Sequence, residues 1–241
     1  MKRHVATHAQ HFLRSPSFIA ELIGHSNIRR SDTVIDIGAG SGAIASVLAR
    51  RCHTVLAYEN EPDALRALHA NMVQYSNVQI YAADFLNASL PSGKYKVFAN
   101  IPFHLSSDIV RKLTQAQSPP SAIYLIVQKQ FAQKLLTEGT HFHGALGMMI
   151  APWWQTRIRR PLRRTDYTPP PAVDTVLLEI KRREEPLLMQ KYMSDYSMFV
   201  ERCYAEPKFY LTTDAPRDLK PSQLPYERWV ELFLSYAKIV H

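Results

Sequence analysis

The residues best suited to chemistry in this 241-residue chain are Asn100, Ile101, Pro102 and Phe103, which follow a short apolar run. The Asn100 amide oxygen and the Ile101 carbonyl could accept hydrogen bonds from both N–H groups of an exocyclic amine, which would favour a more tetrahedral, more nucleophilic nitrogen. Pro102 stiffens the turn, and Phe103 offers a ring on which a flipped or single-stranded base could stack. The motif suits methyl transfer to an adenine amino group, although an ordinary strand-ending turn would also explain it.

A glycine-rich segment lies earlier in the chain, directly after another apolar run. Asp36 is followed by Gly38, Gly40 and Gly42 at alternate positions. Glycines at such a turn let the backbone approach a ligand closely and adopt positive φ. The spacing differs from the G-x-G-x-x-G pattern of dinucleotide-binding proteins. Taken alone, the segment is equally well explained as a tight turn without a ligand.

Two acidic residues strengthen the case for a nucleotide-like ligand. Glu59 ends the second apolar run, about twenty residues after the glycines, where a carboxylate can accept from ribose hydroxyl groups. Asp84 follows the third run and can accept from an adenine amino group, while neighbouring Phe85 can supply a ring or a backbone N–H. Each acid alone could be a turn or capping residue. Both together, in this order, predict an S-adenosylmethionine site.

Alternating strands and helices are predicted to position these groups. Five apolar runs, many of whose residues are β-branched or aromatic, indicate strands at residues 34–37, 55–58, 78–81, 97–99 and 123–127. Helical patterns lie between them at residues 62–74, 107–113 and 128–136. This alternation predicts an α/β fold with a parallel, doubly wound sheet.

A change in composition follows residues 181–186, where the strand pattern ends. Residues 187–204 and 223–240 carry apolar residues at helical spacing, and the segment 207–221 reads as their connector. We therefore predict a catalytic domain at residues 1–183. A small helical C-terminal domain is predicted at residues 184–241, with an RNA-binding role.

The net charge of +8 suits a polyanionic partner. The densest basic cluster comprises Arg157, Arg159, Arg160, Arg163 and Arg164. It lies near Trp153, Trp154 and Tyr167, and cations interleaved with aromatic rings suit phosphates and stacked bases. A solvated arginine face beside core aromatic residues explains the same pattern, and the sequence alone leaves the two interpretations about equal. Lys2, Arg3 and Arg14 form a further basic group.

Several other classes of protein are disfavoured by the sequence. No apolar run reaches membrane-spanning length, and Met1–Arg3 are not followed by the apolar stretch of a signal peptide. Cys52 and Cys203 are far apart and have no metal-ligand spacing. We expect a reduced, cytoplasmic monomer with no metal ion and no membrane partner.

With these motifs in order, the chain resembles the ribosomal RNA adenine-N6 methyltransferases, and within them most closely the Erm enzymes. Gln10 to Leu13 resembles the family's opening Gln-Asn-Phe-Leu, and the residues from Tyr167 to Asp174 resemble its Phe-x-Pro-x-Pro-x-Val segment. The ending from Gln223 to Tyr236 resembles the Erm C-terminus more than that of the small-subunit dimethyltransferases. The resemblance implies a Rossmann-like methyltransferase fold that binds S-adenosylmethionine.

The resemblance also implies a substrate and a role for each matching residue. Erm enzymes modify 23S ribosomal RNA and confer resistance to macrolide, lincosamide and streptogramin B antibiotics. Asn100, Ile101, Pro102 and Phe103 would hold the target base. The implied cofactor contacts are Gln10, His11, Leu13, Gly38, Gly40, Glu59, Asp84, Phe85 and Asn100. His11 replaces the usual Asn, Phe103 the commoner Tyr, and Tyr167 the commoner Phe.

Three alternatives stay open at this point. A small-subunit rRNA dimethyltransferase would share the same site and differ in the C-terminal half. A non-enzymatic RNA-binding factor on the same fold would have no need of Glu59, Asp84 and Asn100 together. A dinucleotide-dependent oxidoreductase is disfavoured by the glycine spacing and by Asn100 to Phe103.

Overall fold

The protein is described by a computed structural model over residues 12–13, 15–137 and 142–240. Its strands are β1 (Phe12–Leu13), β2 (Thr33–Ile37), β3 (Thr54–Glu59), β4 (Val78–Ala82), β5 (Lys96–Asn100), β6 (Ala122–Gln128), β7 (Trp154–Leu162), β8 (Tyr167–Thr168) and β9 (Thr175–Arg182). Its helices are α1 (Pro16–Gly24), α2 (Ala43–Ala49), α3 (Pro62–Met72), α4 (Ser106–Thr114), α5 (Lys129–Leu135), α6 (Ala145–Ile150), α7 (Met193–Ala205), α8 (Pro207–Tyr210) and α9 (Tyr226–Val240).

Seven strands form one sheet in the order β4-β3-β2-β5-β6-β9-β7. The strands from β4 to β6 are parallel, and they are the five strands that the apolar runs predict. β9 is antiparallel to both β6 and β7. The prediction of a parallel sheet is therefore wrong at one edge. Because the chain leaves β7 and re-enters β9 at the same end of the sheet, these two strands must run in opposite directions.

Helices cover both faces of this sheet. On one face α1, α2 and α3 contribute Leu22, Leu48 and Leu68 to a core built on Val34 and Val55. Each of these helices is amphipathic, with an apolar face packed on the sheet and a polar face exposed to water. On the opposite face, α4, α5 and α6 pack on Ile35, Val97 and Ile123. The fold prediction of a Rossmann-like α/β domain is confirmed by this three-layer arrangement.

The C-terminal helices pack into the second of these cores. Tyr196 of α7 and Trp229 of α9 are fully buried in the same cluster as the sheet residues. The Tyr196 ring meets the Trp153 ring edge-on at 5.8 Å, and its hydroxyl donates to the Met148 carbonyl at 3.2 Å. Helices were predicted for both segments, but α7 begins only at Met193 and α9 at Tyr226. The described residues beyond Arg182 contain no strand, as predicted.

A separate two-stranded ladder joins the start of the described chain to the loop between β7 and β9. Phe12 pairs with Thr168 and Leu13 with Tyr167, in antiparallel register. Leu13 is buried, and Tyr167 is completely buried with its hydroxyl 2.7 Å from the Thr175 hydroxyl. This ladder fixes the N-terminal segment beside the sheet. No helix in the described residues is long and apolar enough to span a bilayer.

Candidate functional site

The candidate site lies where four neighbouring parallel strands end. In the order of the sheet, Asp84 follows β4, Glu59 ends β3, Gly38 follows β2 and Asn100 ends β5. Parallel strands present their carboxyl ends at one edge, and ligands of open α/β sheets bind beyond that edge. The four predicted positions are thus brought together by the topology alone.

The glycine turn has the backbone shape that only glycine adopts readily. Gly38, Gly40 and Gly42 have φ values of +66°, +57° and +91°, and residues with a Cβ are strained there. A Cβ on Gly42 would lie 2.8 Å from Leu68 and Met72 of α3. Among the described residues, a Cβ on Gly38 would meet Pro102 Cδ at 3.6 Å, an ordinary contact distance. Gly42 therefore serves packing, whereas Gly38 is exposed beside the Asn100 turn.

Glu59 is buried, and its carboxylate accepts from three backbone N–H groups of two segments. The Gly40 N–H donates to Oε2 at 2.8 Å, and the N–H groups of Asn60 and Glu61 donate to Oε1 at 2.8 and 2.9 Å. A carboxylate has about four lone-pair sites, so these bonds leave about one site, on Oε2, for a ligand hydroxyl. Glu59 is at once a brace for the glycine turn and a possible ligand contact.

Asp36 opens the glycine segment in the sequence, and it is a buried acid for which the pattern predicted no separate role. It is 1 % exposed, and neither carboxylate oxygen has a hydrogen-bond partner among the described residues. Burial, and secondarily the charge of Glu59, raises the pKa of Asp36 to about 8. The backbone N–H of Ala45 offsets this only in part and does not reach hydrogen-bond geometry. A neutral Asp36 beneath the glycine turn would keep two negative charges from meeting there.

Asp84 is less buried than Glu59 and retains more free acceptor capacity. Its Oδ1 accepts from the Leu86 N–H and its Oδ2 from the Asn87 side chain, both at 2.9 Å. One lone-pair site on each oxygen is then left for a ligand amino group. Phe85 is 5 % exposed and packs edge-on against Tyr58, with ring centroids 5.3 Å apart. Its ring is thus part of the core, and its backbone is the group nearer to the site.

Lys112 is a residue of this region that sequence reasoning missed. Its ammonium group lies 5.3 Å from the centre of the Phe85 ring and donates to the carbonyls of Leu86 and Ala88. Burial lowers the pKa of Lys112, and the charge of Asp84 partly restores it. The loop that carries Asp84 is therefore anchored to α4, which begins just after Phe103. No sequence signal distinguishes this lysine from other helix-surface lysines.

The Asn100 turn connects β5 to α4. Asn100 and Phe103 are half-buried, Ile101 is buried and Pro102 is exposed. A 3₁₀ turn at Phe103–Leu105 is closed by the Leu105 N–H, which donates to the Pro102 carbonyl at 3.0 Å, and by the Ser106 hydroxyl, which donates to the Phe103 carbonyl at 2.9 Å. These two bonds, one from a backbone N–H and one from the Ser106 hydroxyl, close the turn that follows Asn100.

The N-terminal predictions fall partly outside the described residues. Gln10, His11, Lys2, Arg3 and Arg14 belong to that undescribed part. Leu13 is described: it pairs with Tyr167 in the β1–β8 ladder, and its side chain is buried in the core.

The predicted arginine cluster is divided by the sheet into two sets. Arg157 of β7 stands opposite Glu179 of β9, toward the end of the sheet at which β6 begins. Arg163 and Arg164 follow β7 at the edge where β6 ends. Between the two sets, Arg159 lies at a register shift and Arg160 pairs with Leu177. Only Arg163 and Arg164 therefore lie at the same edge as Asn100.

Most of these arginines are paired with carboxylates. Arg157 and Arg159 share Glu179, which is 4 % exposed and also accepts from the Tyr124 hydroxyl at 2.9 Å. Arg160 pairs with Glu21 of α1. A further pair joins Arg164 and Asp174 at 3.4 Å. Much of the charge that the sequence concentrates here is thus compensated within the fold.

The aromatic residues beside this cluster belong to the core. Trp153, Trp154 and Tyr167 are each at most 1 % exposed. They cannot stack on an RNA base without unfolding, so the interpretation of arginines interleaved with base-stacking rings is wrong. Trp153 and Trp154 stand at the start of β7, and Tyr167 belongs to the ladder with β1, so their rings pack into the cores of the domain.

The donor set does not suit a metal ion. No group of three or more histidine, cysteine or acidic residues in the described part of the chain is arranged to hold one. Backbone N–H groups, two acids with free acceptor sites and an open glycine turn instead fit a nucleoside-like ligand. The fold and this site define an S-adenosylmethionine-dependent methyltransferase.

Comparison with known proteins defines the family more closely. Residues 2–214 match the family described as ribosomal RNA adenine dimethylase, and the chain belongs to that family. It is an S-adenosylmethionine-dependent rRNA adenine-N6-methyltransferase. The chain is 29% identical to an rRNA adenine N-6-methyltransferase of Limosilactobacillus reuteri over 237 residues, which cover 95% of each protein.

Other relatives and solved structures agree on this assignment. A ribosomal RNA small subunit methyltransferase A from Latilactobacillus sakei is 26% identical over 82% of this chain and 70% of its own length. The crystal structure of the 23S rRNA methyltransferase ErmE superposes with a TM-score of 0.79 at 25% identity, covering 92% of this chain and 98% of ErmE. A dimethyladenosine transferase from Plasmodium falciparum has the same fold, with a TM-score of 0.78 at 18% identity.

Proposed function

We propose that the chain methylates the N6 amino group of an adenine in 23S rRNA and thereby confers resistance to macrolide, lincosamide and streptogramin B antibiotics. The single observation that supports this placement of the reaction is that two motifs lie side by side. A Cβ placed on Gly38 of the glycine turn would lie 3.6 Å from Cδ of Pro102 in the Asn100 turn. A ligand over the glycine turn and a base held by Asn100 would therefore be neighbours.

Individual residues then have separate tasks at this edge. Gly38 and Gly40 would lie against the cofactor backbone, the remaining site on Glu59 Oε2 would accept from its ribose, and Asp84 would accept from its adenine amino group. Gln10, His11, Leu13 and Phe85 would complete this pocket. When bound, S-adenosylmethionine supplies an activated methyl group on a sulfonium centre.

The Asn100 turn would hold the target base. The Asn100 amide oxygen and the Ile101 carbonyl would accept from the two N–H groups of the adenine, which turns the nitrogen lone pair away from the ring. Phe103 would stack on the base after it leaves its helix. Because Ser106 and Leu105 hold the turn by hydrogen bonds, the acceptors would be in place before the substrate arrives. Such preorganisation lowers the barrier without a strong base.

The 23S target is favoured by the resemblance of residues 223–236 to the Erm C-terminus. Similarity to the rRNA adenine N-6-methyltransferase of Limosilactobacillus reuteri extends over 95% of this chain, whereas similarity to the small subunit methyltransferase A of Streptococcus thermophilus extends over 76% of it. We propose that it acts as a monomer, with residues 184–241 as a helical domain that assists RNA binding.

A methylation assay on both ribosomal RNAs tests this proposal. Protein-free 23S and 16S rRNA would be incubated separately with the enzyme and labelled S-adenosylmethionine, and the modified nucleotide mapped by primer extension. We expect label in 23S rRNA at one adenine, and macrolide resistance in a susceptible host that expresses the chain. Label confined to 16S rRNA would establish the small-subunit alternative. The Asn100→Ala protein is the matched control for background methylation.

A further inference from the structure

A groove in the described part of the chain lies away from the Asn100 turn and is rimmed by cations. It has a volume of about 640 Å³ and is formed between α1, α2 and the loops that lead into β2 and β3. Four arginines line it in two adjacent pairs: Arg29, Arg30, Arg50 and Arg51. Pro16, Ser17, Ala20, Ile28 and Val47 form its floor and walls. We refer to it as the arginine groove.

The charge of the arginine groove is not compensated within the described residues. All four arginine side chains are exposed, and none of them forms an ion pair with another described residue. Arg50 donates to the Tyr75 hydroxyl at 2.8 Å and lies 5.7 Å from the centre of that ring, and these interactions orient the guanidinium without neutralising it. This differs from the arginines of β7, most of which hold a carboxylate.

Nearby acids are occupied elsewhere. Asp32 follows Arg29 and Arg30 in sequence, but its Oδ2 accepts from the Lys96 ammonium and the Arg29 backbone N–H, at 2.7 and 2.6 Å. Glu21 of α1 is paired with Arg160. The first turn of α1, which reaches the groove at Pro16 and Ser17, carries no acidic residue. The four arginines therefore give the groove a net positive charge among the described residues.

We infer that the arginine groove binds the phosphate backbone of the rRNA substrate at a second place, remote from the methylated base. A guanidinium binds phosphate through two parallel hydrogen bonds, and four of them on two loops suit successive phosphates. The groove is open and its floor offers no ring for a base, so the binding would be independent of sequence. This inference rests on the proposed function in one respect, because the rRNA is the polyanion that it places in the groove.

The position of the groove limits which RNAs can reach it. Arg29 and Arg30 precede the amino end of β2, whereas Gly38 follows its carboxyl end. Five extended residues span about 17 Å, so one RNA must extend at least that far beyond the target adenine to meet both places. A long rRNA domain can do this, and an oligonucleotide of a few residues around the adenine cannot.

A charge-matched pair of variants tests the inference. Arg30→Gln/Arg51→Gln removes two groove cations. The control, Arg66→Gln/Lys181→Gln, removes two cations that lie outside residues 184–241 and form surface pairs with Asp63 and Glu184. Both proteins lose the same net charge. Binding of a long 23S rRNA domain and of a short stem-loop that contains the target would be measured at several salt concentrations, together with methylation of each RNA.

The expected result is specific to the groove variant and to the long RNA. Its Kd for the long RNA should rise several-fold, and the slope of log Kd against log salt should fall by about 0.7–0.9 for each phosphate that the variant no longer binds. Methylation of the short stem-loop should be unchanged, and Arg30→Lys/Arg51→Lys should retain most of the slope. Equal behaviour of the groove variant and the control would overturn the inference, as would equal weakening for both RNAs. Failure of the wild-type protein to methylate any rRNA would instead refute the proposed function.

Discussion

The carboxyl edge of the sheet and strand β7 are the two regions richest in predicted functional residues, and they handle polar groups in opposite ways. At the carboxyl edge, Glu59 and Asp84 are held by N–H groups of the chain and keep acceptor sites free. Along β7, Arg157 and Arg159 direct their charge to buried Glu179. A polar side chain at a strand end stays available to a ligand, whereas one within a strand tends to find a partner on the neighbouring strand.

The largest effect is expected for Asn100, the proposed hydrogen-bond acceptor at the carboxyl edge. Asn100→Ala should lower the turnover of methyl transfer by about 100- to 1,000-fold, the usual loss when one preorganised hydrogen-bonding group is removed. Cofactor affinity, measured by calorimetry, should stay close to that of the wild-type protein. Phe103→Tyr should remain active because it keeps the ring. Wild-type turnover in Asn100→Ala would remove the catalytic role from this turn.

The next effect concerns Glu59, whose carboxylate braces the glycine turn. Glu59→Ala should weaken S-adenosylmethionine binding by about 1–3 kcal/mol, because the N–H groups of Gly40, Asn60 and Glu61 lose a buried acceptor along with the ligand. Titration calorimetry measures this directly, and Glu61→Ala, which alters an exposed helix cap nearby, is the control. Unchanged affinity in Glu59→Ala would mean that the acid serves the fold alone.

The third prediction concerns Asp36 and the pH dependence of the free energy of unfolding. The pKa of Asp36 is raised from an ordinary value near 4 to about 8 in the fold. The folded protein therefore binds more protons than the unfolded chain across this range, and Asp36 should make the free energy of unfolding fall as pH rises from about 4 to about 8. Asp36→Asn should flatten that part of the profile in thermal or denaturant unfolding. An identical profile in both proteins would show that Asp36 is not protonated in the fold.

The smallest effect is expected from the arginines in and just after β7, and it concerns the salt dependence of RNA binding. Arg163→Gln/Arg164→Gln, at the carboxyl edge, should reduce the salt slope of RNA binding by about 0.7–0.9 for each phosphate left unbound. Arg157→Gln should leave that slope nearly unchanged because its partner Glu179 is buried, whereas the pair of Arg164 with Asp174 is exposed and therefore weak. Filter binding of 23S rRNA over a range of salt concentrations compares them. A larger slope change in Arg157→Gln than in the double variant would reverse the proposed division of the cluster.

Sequence patterns could predict the parallel half of the sheet because each strand there is a short, continuous apolar run between helical segments. The positions of Gly38, Glu59, Asp84 and Asn100 followed directly, since strand ends of a parallel sheet share one edge. β7 escaped prediction because its arginines interrupt the apolar pattern, and its strand character depends on pairing with β9 and on Glu179. That pairing joins residues far apart in sequence, which a local pattern does not contain.

The arginine groove illustrates the same limit for charge. Arg29 and Arg30 are separated from Arg50 and Arg51 by a strand and a helix, so the sequence displays two ordinary basic dipeptides. The larger cluster from Arg157 to Arg164 attracts attention by density alone. Whether a charge is available depends on which acids the fold places beside it, and this is settled by tertiary contacts such as Arg160 with Glu21.

The backbone of Gly38 also constrains how this chain can diverge. Its φ of +66° strains any residue that has a Cβ, whereas the space beside it does not, because a Cβ would lie at an ordinary contact distance of 3.6 Å from Pro102 Cδ. Selection should therefore keep glycine at position 38 whatever residue stands at position 102. The cofactor turn and the base-holding turn should then evolve independently at these two positions, and engineered exchange of one motif alone should be tolerated as long as the glycine is kept.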